Sequence, residues 1–350
     1  MNQAAKQRLL KLGTVAVLGV GVFAAGLLNR PSRALAQDVV HNTYMVMAGG
    51  FAAGNAEALA FGPSNLKVHR GDTVMWHIAS FHNVHFEDSP ANLIIAPVVD
   101  GKPLPQVNPA AGFPSFKNGD TYKGGDANSG LPLGPDASPM FSMVIDLPVG
   151  TYQYFCDVHA GMSGILEVVD DSVAIPGPIE ASAEGQTELD GSLIAASAAG
   201  QQLAATAKTE AVDGVLNITL GTGGTGRAYV GAFAPSLGVI KAGEKVTWTN
   251  PADSAEVHFV NALPFDAAKI MDVVPQPGAD ANQPPILTAG LGFLGTTQDG
   301  ATVGTGDSYN SSFITPGQSF SLVFKDAGVY AYICHIHPGM NGVVIVQPAS

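Results

Sequence analysis

The chain has 350 residues, 46% of them hydrophobic, with 42 Gly, 24 Pro and a formal net charge of −13 at pH 7. That length holds two domains of ordinary size, and so many turn formers exclude a long helical bundle and suit packed sheets. An acidic balance of this size excludes electrostatic binding to nucleic acid or anionic lipid; it favours a basic partner or serves solubility.

The chain opens with Lys6, Arg8 and Lys11, an apolar run from Leu12 to Leu28, then Arg30 to Arg33 and Ala34-Leu35-Ala36. A basic start, an apolar core and small residues at a cleavage point resemble a secretory signal over residues 1–36, which predicts export to the periplasm or outside the cell. The alternative is an uncleaved anchor, because the run approaches the ~17 residues of a short membrane helix. Removing the segment takes away five basic and no acidic residues, leaving 11 basic against 29 acidic.

Two halves then repeat in the same order. Asp72-Thr73-Val74-Met75-Trp76 after Gly71 answers Glu244-Lys245-Val246-Thr247-Trp248 after Gly243. Val84-His85-Phe86 matches Val257-His258-Phe259, Asn128-Ser129 matches Asn310-Ser311, and Gly150–Cys156 matches Gly328–Cys334. A kept order is a duplication, with domains predicted at 38–170 and 214–350. Residues 171–213, rich in Ala, Ser, Gly and acidic residues, read as a linker. Within each half the apolar residues have period two, as in Phe320, Leu322 and Phe324, so the fold class is all-β, with short strands forming a sandwich. Each half also carries about fifty Pro- and Gly-rich residues before its last strands, longer than an ordinary connection.

The strongest motif is Cys156-Asp157-Val158-His159-Ala160-Gly161-Met162, repeated as Cys334-His335-Ile336-His337-Pro338-Gly339-Met340. A thiolate, an imidazole and a thioether on one short loop suit copper, and a second histidine completes a blue copper set. The upstream candidates are His82, with His85 as its rival, and His258. His82 is preferred because one metal needs one upstream histidine and alternation turns the neighbouring Asn83 away from it. Met75, Met140 and Met143 read as core filler, and His41, His69, His77 and His335 as structural or surface residues, none recurring in both halves.

These residues resemble the cupredoxins, the small blue copper proteins. The loop spacing is similar to that of amicyanin, and Phe81-His82-Asn83-Val84 to a stretch found in amicyanin and plastocyanin. The resemblance implies two Greek-key β-sandwich domains in tandem and two mononuclear type 1 copper ions. It assigns His82, Cys156, His159 and Met162 to one, and His258, Cys334, His337 and Met340 to the other. It implies single-electron transfer between redox proteins, a basic donor or acceptor among them, with no nucleic-acid partner and no membrane contact beyond the N-terminal segment. It also implies that His159 and His337 present an edge at the surface, where Ala160 and Pro338 would flank a docking patch. Phe259, where the first half has Asn83, predicts that the two sites differ in potential.

Rival readings are a copper enzyme and a copper carrier or store. The multicopper oxidase pattern needs several His-x-His pairs, whereas His335-x-His337 stands alone; the nitrite reductase pattern needs histidine before the cysteine, where Phe155 and Ile333 stand. A carrier would favour Met- or Cys-rich runs. A Cys156–Cys334 disulfide is the default for two cysteines outside the cytoplasm, but leaves the spaced His and Met unexplained.

Overall fold

In the computed structural model the described residues are 40–99, 101–103, 105–133, 138–223, 227–266, 271–274, 286–290 and 292–349. The expected export segment 1–36 lies outside them. Each half folds as a two-sheet sandwich whose strands alternate buried and exposed positions, as the period-two pattern requires. In the strand Thr73–Ile78, Val74, Trp76 and Ile78 point into the core. In Lys245–Thr249, Val246 and Trp248 do the same.

One sheet of each half merges with its counterpart. The order runs Thr121–Tyr122, Met140–Ile145, Thr73–Ile78, Thr43–Ala52, Ala56–Gly62, then Ala228–Ala234, Val215–Thr222, Lys245–Thr249, Ser319–Phe324 and Ala301–Val303. The two five-strand sets mirror each other about the pair formed by Ala56–Gly62 and Ala228–Ala234, which is antiparallel with Glu57 opposite Tyr229. Equivalent edges therefore cover one another, which removes two exposed strand edges at once. The second sheets stay separate: Gly150–Phe155 pairs with Ser163–Val169 in one, and Gly328–Ile333 with Asn341–Gln347 in the other. The long inserts meet as well, through Thr288 opposite Gln106.

The segment expected as a linker contains a 29-residue helix, Pro178–Thr206. Pro178 at its first position and Glu180 in the first turn suit a helix start. Its buried stripe is Ala181, Gly185, Leu189, Leu193 and Ala196, and Leu189, Leu193 and Ala196 share a cluster with Ala56, Ala58, Ala60 and Val230. Small residues on both surfaces allow close approach: a Cβ on Gly185 would stand 2.2 Å from Pro63 N. The connection is thus a packed cover over the junction of the halves. Among the described residues no helix is long and apolar enough to cross a membrane.

Candidate metal centres

Two aromatic cores support the sites from below. Trp76 packs edge-on against Phe86 and Tyr154, and Trp248 against Tyr332 and Phe324. Above them, Cys156 directly follows the strand Gly150–Phe155 and Cys334 follows Gly328–Ile333.

Each loop after the cysteine is closed by its own backbone. Cys156 N–H donates to Met162 O (2.9 Å) and Met162 N–H to His159 O (3.0 Å). In the second half, Cys334 N–H donates to Met340 O (3.0 Å) and Met340 N–H to His337 O (3.1 Å). These turns bring sulfur and imidazole together, with Cys156 Sγ 3.6 Å from His159 Nδ1 and Cys334 Sγ 3.3 Å from His337 Nδ1. His82 Nδ1 lies 3.7 Å from Cys156 Sγ. His82, Cys156 and His159 form one group with ligand atoms within 4.8 Å of one another, and His258, Cys334 and His337 form another. Met162 and Met340 are buried on the same loops. Both cysteines are free, which rules out the disulfide reading.

A glycine bulge seats each upstream histidine. The pairing of Thr43–Ala52 with Ala56–Gly62 slips at Gly49 (φ +82°), and that of Val215–Thr222 with Ala228–Ala234 slips at Gly221 (φ +68°). A Cβ on Gly49 would stand 2.4 Å from His82 Nε2, and one on Gly221 3.3 Å from His258 Nε2. Only glycine combines that backbone with that approach.

The strand register separates His82 from His85. His85 pairs with Phe155, and Asn261 with Ile333, so Asn261 is the counterpart of His85 and His258 that of His82. The Val-His-Phe match between the halves is therefore displaced by three residues. His85 instead lies between carboxylates, Nδ1 2.8 Å from Asp157 Oδ2 and Nε2 2.7 Å from Asp126 Oδ1. Burial pulls its pKa down, but hydrogen bonds with Asp157 and Asp126 override this and raise it to about 9.

What surrounds each loop differs between the halves. Asn83 is wholly buried; its Nδ2 donates to Asp157 Oδ2 (2.7 Å) and Asn128 Oδ1 (3.0 Å), and its Oδ1 accepts from Asp157 N–H (2.8 Å). In the second half Phe259 contacts the rings of His335, Phe293 and Phe313 at 4.2, 5.4 and 4.8 Å. A polar latch has been exchanged for an aromatic one. His335 lies in that cluster, and burial, aided by the charge of His337, lowers its pKa to about 4.

The donor sets fit a soft metal. Burial alone would push the Cys156 thiol up, but hydrogen bonds from His159 and His82 hold it down at about 5, so the sulfur is a thiolate at neutral pH. Burial would lower His82 as well, yet Cys156 and Glu57 raise it to about 9. A bound metal ion would take the place of the ring proton that faces the thiolate. His258 is wholly buried with neither nitrogen hydrogen-bonded, and burial, with the charge of His337, holds its pKa well below the usual range. A neutral ring with a free lone pair is what coordination needs.

The description "copper binding proteins, plastocyanin/azurin family" matches residues 50–169 and again 226–347. The chain belongs to this family. Plastocyanin of Scenedesmus fuscus is 32% identical over 133 residues, spanning 37% of this chain and 100% of that protein. Chloroplastic plastocyanin of Tetradesmus obliquus is 34% identical over 117 residues, 33% of this chain and 58% of that protein. Among solved structures, a novel purple cupredoxin from Nitrosopumilus maritimus aligns at 25% identity and a TM-score of 0.22, over 37% of this chain and 98% of that one. Amicyanin from Paracoccus versutus aligns at 20% identity and a TM-score of 0.22, over 39% and 85%. With two copies of the plastocyanin/azurin pattern, the two His-Cys-His groups fit two type 1 copper ions.

Sequence reasoning missed the carboxylates beside these plastocyanin-like sites. Glu57 Oε1 lies 3.4 Å from His82 Nε2, and Glu256 reaches both loop histidines, 3.7 Å from His159 Nε2 and 3.7 Å from His337 Nε2. Burial would raise Glu57, but its contact with His82 lowers it. His159 is 8% exposed, so only a narrow edge of its ring reaches the surface. The repeated glycines Gly49 and Gly221 were the one available signal for the bulges; Glu57 and Glu256 have no counterparts at the matching positions, Tyr229 and Ser80.

Proposed function

We propose that this is an exported tandem blue copper protein that carries single electrons between redox proteins. His82, Cys156, His159 and Met162 hold one copper, and His258, Cys334, His337 and Met340 the other. The observation that carries this reading is the pair of His-Cys-His groups, each built around a buried cysteine and followed three residues on by a buried methionine. Bound copper supplies a one-electron couple. The chain's part is to hold a thiolate and two imidazoles in a rigid, water-poor pocket, so little moves when the charge changes. Such a set leaves no open position for substrate, which argues against the enzyme reading.

The test is copper content by mass with the visible spectrum of the oxidised protein, before and after C156S and C334S. Two coppers and an intense thiolate band, reduced by about half in each variant, support the reading. Further copper surviving both substitutions favours the enzyme instead.

A further inference from the structure

Several features belong to the tandem arrangement and to neither half alone. The loop histidines, which in a single domain would face a partner, here face the other half. Asn55, in the left-handed region at φ +58°, donates from Nδ2 to the carbonyls of Gly231 (3.2 Å) and Gly339 (3.0 Å). Gly231 N–H returns a bond to Asn55 O at 3.1 Å. The turn of the first half is thereby tied to the Cys334–Met340 loop of the second, beside the strand pair that joins the sheets.

At this junction Glu256 is buried, 8% exposed, with one carboxylate oxygen 3.7 Å from His159 Nε2 and the other 3.7 Å from His337 Nε2. Its Oε1 has no hydrogen-bond partner. A buried carboxylate is costly unless charges or donors compensate it, and among the described residues Glu256 pairs with these two rings. Each ring turns Nδ1 toward its own cysteine sulfur and so offers Nε2–H to the carboxylate. At 3.7 Å neither contact is a hydrogen bond as it stands, and a lean of the carboxylate toward either ring makes one there. The matching position of the first half is Ser80, so the junction has one such carboxylate, as a single bridge between two sites requires.

We propose that Glu256 is the bridge through which the two sites exchange electrons and feel each other's charge, along His159–Glu256–His337. This rests on the two-copper reading above. One electron leaves a Cu(I), which becomes Cu(II), and reduces the Cu(II) of the other half to Cu(I); no proton or further reactant takes part. Glu256 acts through the histidines and is a positioning residue. Its negative charge favours the oxidised state at both sites, so its loss raises both potentials.

The experiment uses the full copper-loaded protein, reduced by one electron with a fast pulse. The unaltered protein is expected to show a redistribution between the two coppers whose rate is independent of protein concentration. E256L loses this phase. E256Q, of the same shape and so a control for folding, slows it; in both variants both potentials move up with copper content unchanged. In the metal-free protein, the Nε2 nitrogen resonances of His159 and His337 both shift in E256Q. The proposal is overturned if the unaltered protein binds two coppers but shows no such phase, if both variants keep the unaltered rate, or if only one potential or one histidine responds. Fewer than two coppers in the unaltered protein would overturn the parent reading first and this one with it.

Discussion

Replacing Asn83 by Ala should cost the first half about 2–4 kcal/mol while leaving its fold recognisable. The amide is wholly buried and makes short bonds to Asp157 and Asn128. Most of its partners keep another: Asp157 Oδ2 still meets His85 Nδ1 at 2.8 Å, and Asn128 Oδ1 still accepts from Gly130 N–H at 2.8 Å. The group left with nothing is the Asp157 N–H, which accounts for ~1–3 kcal/mol, and the other lost bonds add ~1 kcal/mol between them. Urea unfolding of the metal-free protein, followed by tryptophan fluorescence, measures the loss. A drop below about 1 kcal/mol would refute the argument that this latch is satisfied only through Asn83. N83A should also loosen the loop at Cys156 and change the spectrum of the first site alone, whereas F259A should act on the second.

G49A should weaken copper binding at the first site, because the new Cβ would stand 2.4 Å from His82 Nε2; a titration followed at the thiolate band reads it, and unaltered affinity counts against the bulge as the histidine's seat. In G221A the closest approach is to Val230 O at 2.8 Å rather than to His258, so strand pairing should suffer before copper affinity does. His85, raised from 6.5 to about 9, contributes stability that is fully present below pH 6.5 and is lost as pH rises through 9. Comparing metal-free protein with H85Q should reveal about 2 kcal/mol of this pH dependence, allowing for solvent around the half-exposed Asp126; parallel profiles would disprove it. G185A should lower the melting temperature without altering either copper spectrum, since its Cβ meets the backbone at Gly62 and Pro63 and none of the metal-binding residues; an unchanged melting temperature would show the helix free to shift.

The duplication, the β-rich pattern and the C-x-x-H-x-x-M loops were legible because they are local: a cysteine, histidine and methionine within one seven-residue stretch need only one closed turn to meet. His82 was legible only with a preference, since His85 lies on the same short segment and the strand register decides which of them faces the thiolate. The helix Pro178–Thr206 was hidden because its buried face is largely Ala and Gly, which the composition of an open linker shares. The Asn83 latch joins residues 74 apart and its aromatic replacement residues 76 apart, so their partners follow from packing alone.

The sequence by itself determined two copies of a copper-binding sandwich and the residue types at each site, because hydrophobic period and ligand chemistry are written in short stretches. Only the tertiary structure decided that the copies share one sheet and turn their loop histidines toward each other. That depends on two edge strands whose alanines and glycines permit close pairing under a small-faced helix, and on Glu256 standing between rings that are 97 and 81 residues away.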